Sequence, residues 1–450
     1  MKKVLIANRG EIAVRVIRAC HDLGLETVAV YSQADAKALH VQLADEAVCV
    51  GEAAALRSYL KIPHILSACE VTGADAIHPG YGFLSENPKF AALCESSGLI
   101  FIGPSSTSIA LLGDKVEAKA LARRVGCPVV PGSSGVVSDP QEALRVADEI
   151  GYPLVIKATH GGGGKGIRVV TSSEDFLQMF DSARGEAGAS FGCPDVYLEK
   201  MIMYPRHIEI QIFGDKQGNY VHLGERDCTI QRRRQKLIEE APSPILTPYL
   251  RAQITEAALN IVKAASYFSA GTVEFLLEGD RFYFMEVNTR IQVEHTVTEE
   301  LTGVDLVNAQ IRVARGEMLP WKQEEICFGG HVIQCRINAE DPQNNFAPSP
   351  GRLEYYHPSA GPDVRVDSSC YPGYVIPPHY DSMIAKLIVR GKDRKEAIAK
   401  TRRALKEFNI TGVKSTIGFH QYMMSNVDFH EARYDIRYID GLIENGCKFE

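Results

Sequence analysis

Residues 271–295 read GTVEFLLEGDRFYFMEVNTRIQVEH, and the rest of the chain is organised around them. An apolar run carries one acid, Glu274. A turn signal, Glu278-Gly279-Asp280-Arg281, separates it from a second β-rich run that ends in Glu286. Polar residues then recur at every second position: Glu286, Asn288, Arg290, Gln292 and Glu294. In an extended chain these share one face, and Met285, Val287, Ile291 and Val293 take the other. A merely solvated face would favour Lys, Thr and Ser over this mixed series. The oxygens of Glu274, Glu286 and Asn288 are hard donors that suit Mg²⁺ beside substrate phosphates. Arg290 and Glu294 suit an anionic substrate and a base. Glu274 and Glu286 can share a metal only on one face of the hairpin. A two- or four-residue loop pairs Glu274 with Met285, whereas a three-residue loop, Gly279-Asp280-Arg281, pairs it with Glu286. The three-residue loop is therefore expected.

The 450 residues suggest about three domains, and 45% hydrophobic with 23% charged content is ordinary for a globular protein. A net charge of −7 argues against a nucleic-acid partner. The closest pair of the 11 cysteines, Cys327 and Cys335, lacks C-x-x-C spacing, so reduced thiols and a cytoplasmic location are expected. No apolar run is long enough for a membrane helix, and the first one stops at Asn8-Arg9, too early for a signal peptide.

In chain order, residues 3–8, a helical face on 11–23 and Thr27–Tyr31 form a β-α-β start without the dinucleotide G-x-G-x-x-G fingerprint. AIHPGYGFLSEN (76–87) fits a ligand loop at a strand end, and a plain turn fits equally well. Asp114 caps a helix whose first turn holds Lys115, a poor place for a lysine unless an anion binds there. LVIKATHGGGGKGIRVV (154–170) reads as strand, glycine hairpin, strand. It is not a Walker loop, but its bare N–H groups could close over phosphates, and Lys157 within the strand wants an anion. Val196–Lys200 and Arg206–Phe213 are strands. The run Gln231-Arg232-Arg233-Arg234-Gln235-Lys236 reads as a basic wall for a small anion, with a solvated face or RNA binding as less fitting options. Thr247-Pro248 starts a helix, His331–Asn338 is a strand carrying Arg336, and the last hundred residues alternate short strands with one helix capped at Asp393. Together, a divalent-metal site, a glycine flap, lysines for phosphates and an Arg/Gln/Glu set suit phosphoryl transfer from ATP to a carboxylate-like acceptor.

These residues resemble the biotin carboxylases of the ATP-grasp superfamily. The matching stretches run in order over nearly the whole chain: IANRGEIAVR (6–15), AIHPGYGFLSEN (76–87), FIGPS (101–105), GDK (113–115), HGGGGKG (160–166), PRHIEIQ (205–211), QRRRQK (231–236), EVNTRIQVEH (286–295), CRINAEDP (335–342) and PPHYDSMIAKL (377–387). The resemblance implies an α/β and α+β chain of three-part ATP-grasp architecture: an N-terminal Rossmann-like α/β domain (1–113), a glycine-flap ATP-grasp domain (114–325) with a lid over about 130–203, and a C-terminal α+β biotin carboxylase domain (326–450). It implies that ATP is held by Lys115, Lys157, Gly163, Gly164, Glu199, His207 and Leu276, with Lys200, Met201 and Ile202 near adenine. Two Mg²⁺ or Mn²⁺ go to Glu274, Glu286 and Asn288. Bicarbonate goes to Lys236, Arg290, Gln292 and Val293, Glu294 acts as base, and Arg336 stabilises the biotin oxyanion. Carboxyphosphate is the implied intermediate.

Two positions depart from the family pattern. Arg234 stands where many relatives carry a nucleotide-contacting histidine. Thr296 replaces a usual proline, which is expected to loosen the loop holding Glu294 without changing the chemistry. With no Met-Lys-Met biotinylation motif, the resemblance implies a separate biotin carboxyl carrier protein, separate carboxyltransferase subunits and a homodimer. The assembly expected is acetyl-CoA carboxylase, feeding fatty acid synthesis; membership of a pyruvate or other acyl-CoA carboxylase is the alternative. Two other classes stay in view, a non-catalytic nucleotide-binding module and an ATP-grasp ligase with an amine acceptor.

Overall fold

A computed structural model describes residues 1–159 and 167–449. Five parallel strands open the chain: β1 (Lys3–Ile6), β2 (Glu26–Ser32), β3 (Glu46–Gly51), β4 (Ala76–His78) and β5 (Ile100–Phe101), in the order β3-β2-β1-β4-β5. Helices cover both faces, so β1 after Lys3 is the apolar run Val4-Leu5-Ile6, as buried parallel strands are. The helix Gly10–Asp22 packs its apolar stripe of Ile12, Ala13, Val16, Ile17 and Cys20 inward.

The helix Lys115–Arg124 starts where the Asp114 carboxylate accepts from the Val116 and Glu117 N–H groups. A small separate layer follows. It consists of β6 (Leu154–Ala158), β7 (Ile167–Val170) and β8 (Val196–Lys200), in the order β7-β6-β8, with its own core of Leu154, Ile156, Phe176, Phe180 and Leu198. Asp139 caps the helix Pro140–Ile150 against this layer.

The largest sheet has eight strands: β9 (Arg206–Gly214), β10 (Tyr220–Arg232), β11 (Gln235–Ala241), β12 (Ser269–Glu278), β13 (Arg281–Asn288), β14 (His331–Asn338), and the strands Met383–Gly391 and Val364–Ser368. Their order is β13-β12-β9-β10-β11-β14 followed by Met383–Gly391 and Val364–Ser368. β11 pairs with β14 from Ile238↔Cys335 to Ala241↔Val332, so the acid hairpin and Arg336 belong to one continuous sheet. The last hundred residues hold four helices among the described residues rather than one: Arg394–Glu407 capped by Asp393, Ile417–Met423, Val427–His430 and Tyr438–Glu444. The three helices beyond Arg394–Glu407 are four to seven residues long, too short to show a helical period.

The hairpin corrects the expected loop while keeping the expected pairing. Glu278 pairs with Arg281, so the loop is the two residues Gly279-Asp280. A register shift between Glu274 and Phe275 takes up Met285 as an extra residue, and Glu274 then pairs with Glu286. A β-bulge does what an odd loop would have done. It also turns Met285 onto the cavity side, against the expected alternation.

Candidate active site

A cavity of about 1030 Å³ lies between the three-stranded layer, the large sheet and the N-terminal sheet. Lys115, Lys157, Glu199, Lys200, Met201, Ile202, His207, Arg234, Lys236, Leu276, Arg336 and, from the acid hairpin, Glu274, Glu286, Asn288, Arg290, Gln292 and Val293 all line it. Glu294 lies fully buried beneath this wall, in contact with two of its cations. Gly163 and Gly164 lie outside the described residues.

One end of the cavity is apolar, walled by Val130, Val155, Tyr197, Met201, Ile202 and Leu276, a slot suited to a flat base. Beside it, Glu199 is paired with both Lys157 and Lys119. Burial would push the Glu199 carboxyl up, but these two charges outweigh it and hold it down. Lys119 escaped the sequence reading because it looks like any polar helix residue. Lys115 stands exposed with its Nζ 3.6 Å from Glu286 Oε2.

At the hairpin, Glu274 Oε1 accepts from Lys236 Nζ (3.0 Å) and Gln292 Nε2 (3.1 Å), and its Oε2 is 3.1 Å from His207 Nε2. Burial raises the Glu286 carboxyl, and the neighbouring Glu274 raises it further. Two clusters of ligand-type atoms lie among the described residues, His207 with Glu209 and Glu274, and Glu209 with Cys228 and Glu294. Both Glu209 oxygens are already taken, one by Arg226 (2.6 Å) and one by Lys236 (2.6 Å). Glu274 is engaged in the same way and Asn288 Oδ1 accepts from Arg290, so a divalent cation on the cross-strand set Glu274, Glu286 and Asn288 would take over from these donors. Asn288 Nδ2 is buried without a hydrogen-bond partner among the described residues, which a bound phosphate oxygen would satisfy.

Arg290 ties the loop after β13 together. Its Nε donates to Glu86 (2.8 Å), Nη1 to Gln292 (2.9 Å) and Nη2 to Asn288 (3.0 Å). The strand ends at Asn288, so Arg290–Glu294 converge as a loop leading into the helix His295–Thr302 rather than as a continued strand. Glu86 comes from the 76–87 loop, so that loop is a wall of the site. Gly80 has a φ of +63°, and a Cβ there would lie 2.8 Å from Asn8 Nδ2, which donates to the carbonyls of Pro79 and Tyr81. This close approach sets Tyr81, Gly82 and Phe83 on the cavity.

The deepest part is a buried charge network. Lys236 Nζ contacts Glu209 (2.6 Å), Glu274 (3.0 Å) and Glu294 (2.6 Å). Arg336 Nη2 contacts Glu294 (2.9 Å) and its Nε contacts Glu239 (2.5 Å). Burial alone would push the Glu294 carboxyl up; the charges of Lys236, Arg336 and Arg226 outweigh it and hold it well below the ordinary range. Glu209, Glu239 and Arg226 were missed as site residues; Glu209 stands in the alternating run His207–Ile212, where alternation alone does not separate a buried charge network from a solvated face.

Two further expectations are corrected here. The basic run is a wall only in part. Arg233 and Arg234, with φ of 48° and 67°, form the tip of the β10–β11 hairpin. Arg232 turns away to stack on Phe346, 4.9 Å from the ring centre, so only Gln231 and the Arg234–Lys236 end line the cavity. Thr296 does not loosen its loop. It is fully buried, and its hydroxyl donates to Gln334 Oε1, whose Nε2 donates to Glu239 (2.9 Å).

The family described as "Biotin carboxylase, N-terminal domain" matches residues 1–109, and "Biotin carboxylase C-terminal domain" matches residues 334–441. Between them, residues 114–322 match "Carbamoyl-phosphate synthase L chain, ATP binding domain". A biotin carboxylase of Nostoc sp. is 56% identical over 438 residues, covering 97% of this chain and 98% of that one. The chain belongs to the biotin carboxylase family. Another relative, a pyruvate carboxylase component of Methanothermobacter thermautotrophicus, is 53% identical over 97% of this chain and 89% of its own. Among solved structures, the biotin carboxylase domain dimer of Hydrogenobacter thermophilus 2-oxoglutarate carboxylase is 49% identical, with a TM-score of 0.92 over 100% of this chain and 99% of that one. That dimer was solved with MgADP, ADP and bicarbonate. As a biotin carboxylase family member, the chain is an ATP-dependent ligase of ATP-grasp architecture. No helix among the described residues is long and apolar enough to cross a membrane.

Proposed function

We propose that this cavity carboxylates biotin held by a separate carrier protein, using ATP and bicarbonate by way of carboxyphosphate. The observation that carries this reading is the position of Glu294, buried between Lys236 and Arg336 where the acid hairpin ends.

Adenine occupies the apolar slot of Met201, Ile202 and Leu276. Lys115 and Lys157 take phosphate oxygens. Glu274, Glu286 and Asn288 would hold two Mg²⁺ or Mn²⁺, which supply charge neutralisation at the transferring phosphoryl group. Bicarbonate lies among Lys236, Arg290, Gln292 and Val293, with its hydroxyl toward Glu294. The depressed Glu294 carboxyl is a weak base while two cations engage it. Bicarbonate draws on Lys236, and the biotin ureido oxygen draws on Arg336. Each ligand thereby relieves Glu294 of part of a cation and makes it a stronger base when both substrates are present. The bicarbonate oxygen attacks the γ-phosphorus and ADP leaves. Carboxyphosphate then breaks down to CO₂ and phosphate in the closed site, where water cannot hydrolyse it. Phosphate takes the ureido proton, Arg336 stabilises the resulting oxyanion, and the nitrogen adds to CO₂.

Residues 1–113, 114–325 and 326–450 act as three domains, with about 130–203 as the lid. The separate three-stranded layer and its own core support that lid. The chain works as a homodimer with a biotin carboxyl carrier protein and carboxyltransferase subunits, most simply as the first half-reaction of acetyl-CoA carboxylase. A role in a pyruvate or other acyl-CoA carboxylase is the second reading, favoured by the similarity to the pyruvate carboxylase component of Methanothermobacter thermautotrophicus. Steady-state ATP hydrolysis tests the site roles. Glu294→Gln is expected to abolish bicarbonate-dependent turnover while ATP still binds; full turnover in that variant would refute them. Reconstitution with carrier and transferase, read as malonyl-CoA against oxaloacetate, separates the two assemblies.

A further inference from the structure

Three sequence stretches with no mechanistic role so far meet at one residue. Lys386 is the only lysine among the described residues that is fully buried. It lies on the strand Met383–Gly391 directly across from Arg336 on β14, and cross-strand partners share a face. Its Nζ donates to the Val293 carbonyl at 3.0 Å. It also lies 3.0 Å from Glu11 Oε2 and 4.0 Å from Asp367 Oδ2. Glu11 accepts from the Tyr81 hydroxyl, and both residues line the cavity. Asp367 is held separately by Arg365 at 2.8 Å.

A buried ammonium is costly and has three N–H groups to satisfy, and one of them goes to the Val293 carbonyl. The bond to Val293 gives this charge a second task. The Val293 carbonyl shares a peptide plane with the Glu294 N–H, so holding that oxygen fixes where the Glu294 side chain begins. On the other side, the carboxylate of Glu11 links the same ammonium to Tyr81 and the 76–87 loop.

Resting on the proposed function above, we propose that Lys386 is a positioning residue for bicarbonate. It pins the Val293–Glu294 peptide and ties it through Glu11 and Tyr81 to the N-terminal wall of the site. Its partners are Val293, Glu11 and Asp367 rather than Glu274, Glu286 or Asn288.

The test is steady-state ATP hydrolysis by the full chain with Mg²⁺ and biotin, varying bicarbonate and ATP separately. Lys386→Met is expected to raise the KM for bicarbonate about tenfold or more and to leave the KM for ATP within about twofold. Should that variant fail to fold because Glu11 is left unpaired, the double variant Glu11→Gln/Lys386→Met removes both charges and is expected to show the same split. An unchanged KM for bicarbonate in a folded variant, or equal rises in both KM values, would overturn the proposal and leave Lys386 as a structural ion. A wild-type chain whose ATP hydrolysis ignores bicarbonate would instead overturn the carboxylase reading itself, and this proposal with it.

Discussion

Replacing Arg336 by methionine keeps most of the side-chain volume and removes one charge. Two fully buried carboxylates then lose a cation, Glu239 at 2.5 Å and Glu294 at 2.9 Å. At an effective dielectric of about 20, each contact is worth roughly 6 kcal/mol before desolvation is counted. The net cost of stranding a buried charge is about 3–5 kcal/mol. Glu294 keeps Lys236, so the loss falls on Glu239, which burial already raises against the pull of Arg336. Glu239 therefore binds a proton in the folded variant that it would release on unfolding. A folded pKa raised above the unfolded value makes stability fall as pH rises, by about 1.4 kcal/mol per pH unit. The deficit of the variant relative to wild type should be larger at about pH 8 than at about pH 5.5, by roughly 3 kcal/mol. Urea unfolding of both proteins at the two pH values measures this. An equal deficit at both, or none at pH 8, would refute the view that Arg336 is the counter-ion keeping Glu239 charged.

Thr296→Val leaves the buried Gln334 oxygen without its donor. It should cost about 1–3 kcal/mol in urea unfolding and leave the KM for ATP unchanged. Arg233 is exposed with a φ of 48° at a hairpin tip. Arg233→Asn should therefore stabilise the protein by about 0.5–1 kcal/mol by the same measurement, since asparagine tolerates that conformation better. Glu286→Gln removes one hard oxygen charge from the cross-strand set and should raise the Mg²⁺ concentration for half-maximal turnover by about tenfold, read by metal titration of ATP hydrolysis.

The acid hairpin was legible because chemistry constrained it twice, once through alternation and once through the need for two acids on one face. The pairing of Glu274 with Glu286 followed from that need, but the device did not. A two-residue loop plus a bulge at Met285 and a three-residue loop give the same pairing, and no local residue type separates them. Caps at Asp114, Asp139, Thr247 and Asp393 were readable because each signal is local. What stayed hidden is long-range. Glu86 meets Arg290 across 204 residues, and Lys386 meets Glu11 and Val293 from the far end of the chain. Glu209, Glu239 and Arg226 are buried, and their charges make sense only once the partners Arg226, Arg336 and Glu209 are placed beside them. The hairpin tip inside the basic run stayed hidden for the complementary reason. A stretch of like charge hides a hairpin tip when that tip is built from arginines instead of Asn-Gly.

The central claim is that carbon from bicarbonate reaches biotin by way of ATP, with Glu294 as the base. Incubating the chain with radiolabelled bicarbonate, Mg²⁺, ATP and free biotin, and counting acid-labile label retained on biotin, tests it most directly. The expected result is ATP-dependent labelling that is lost in Glu294→Gln and in Arg336→Ala. Bound ATP hydrolysed with no label on biotin, or labelling undiminished in Glu294→Gln, would contradict it.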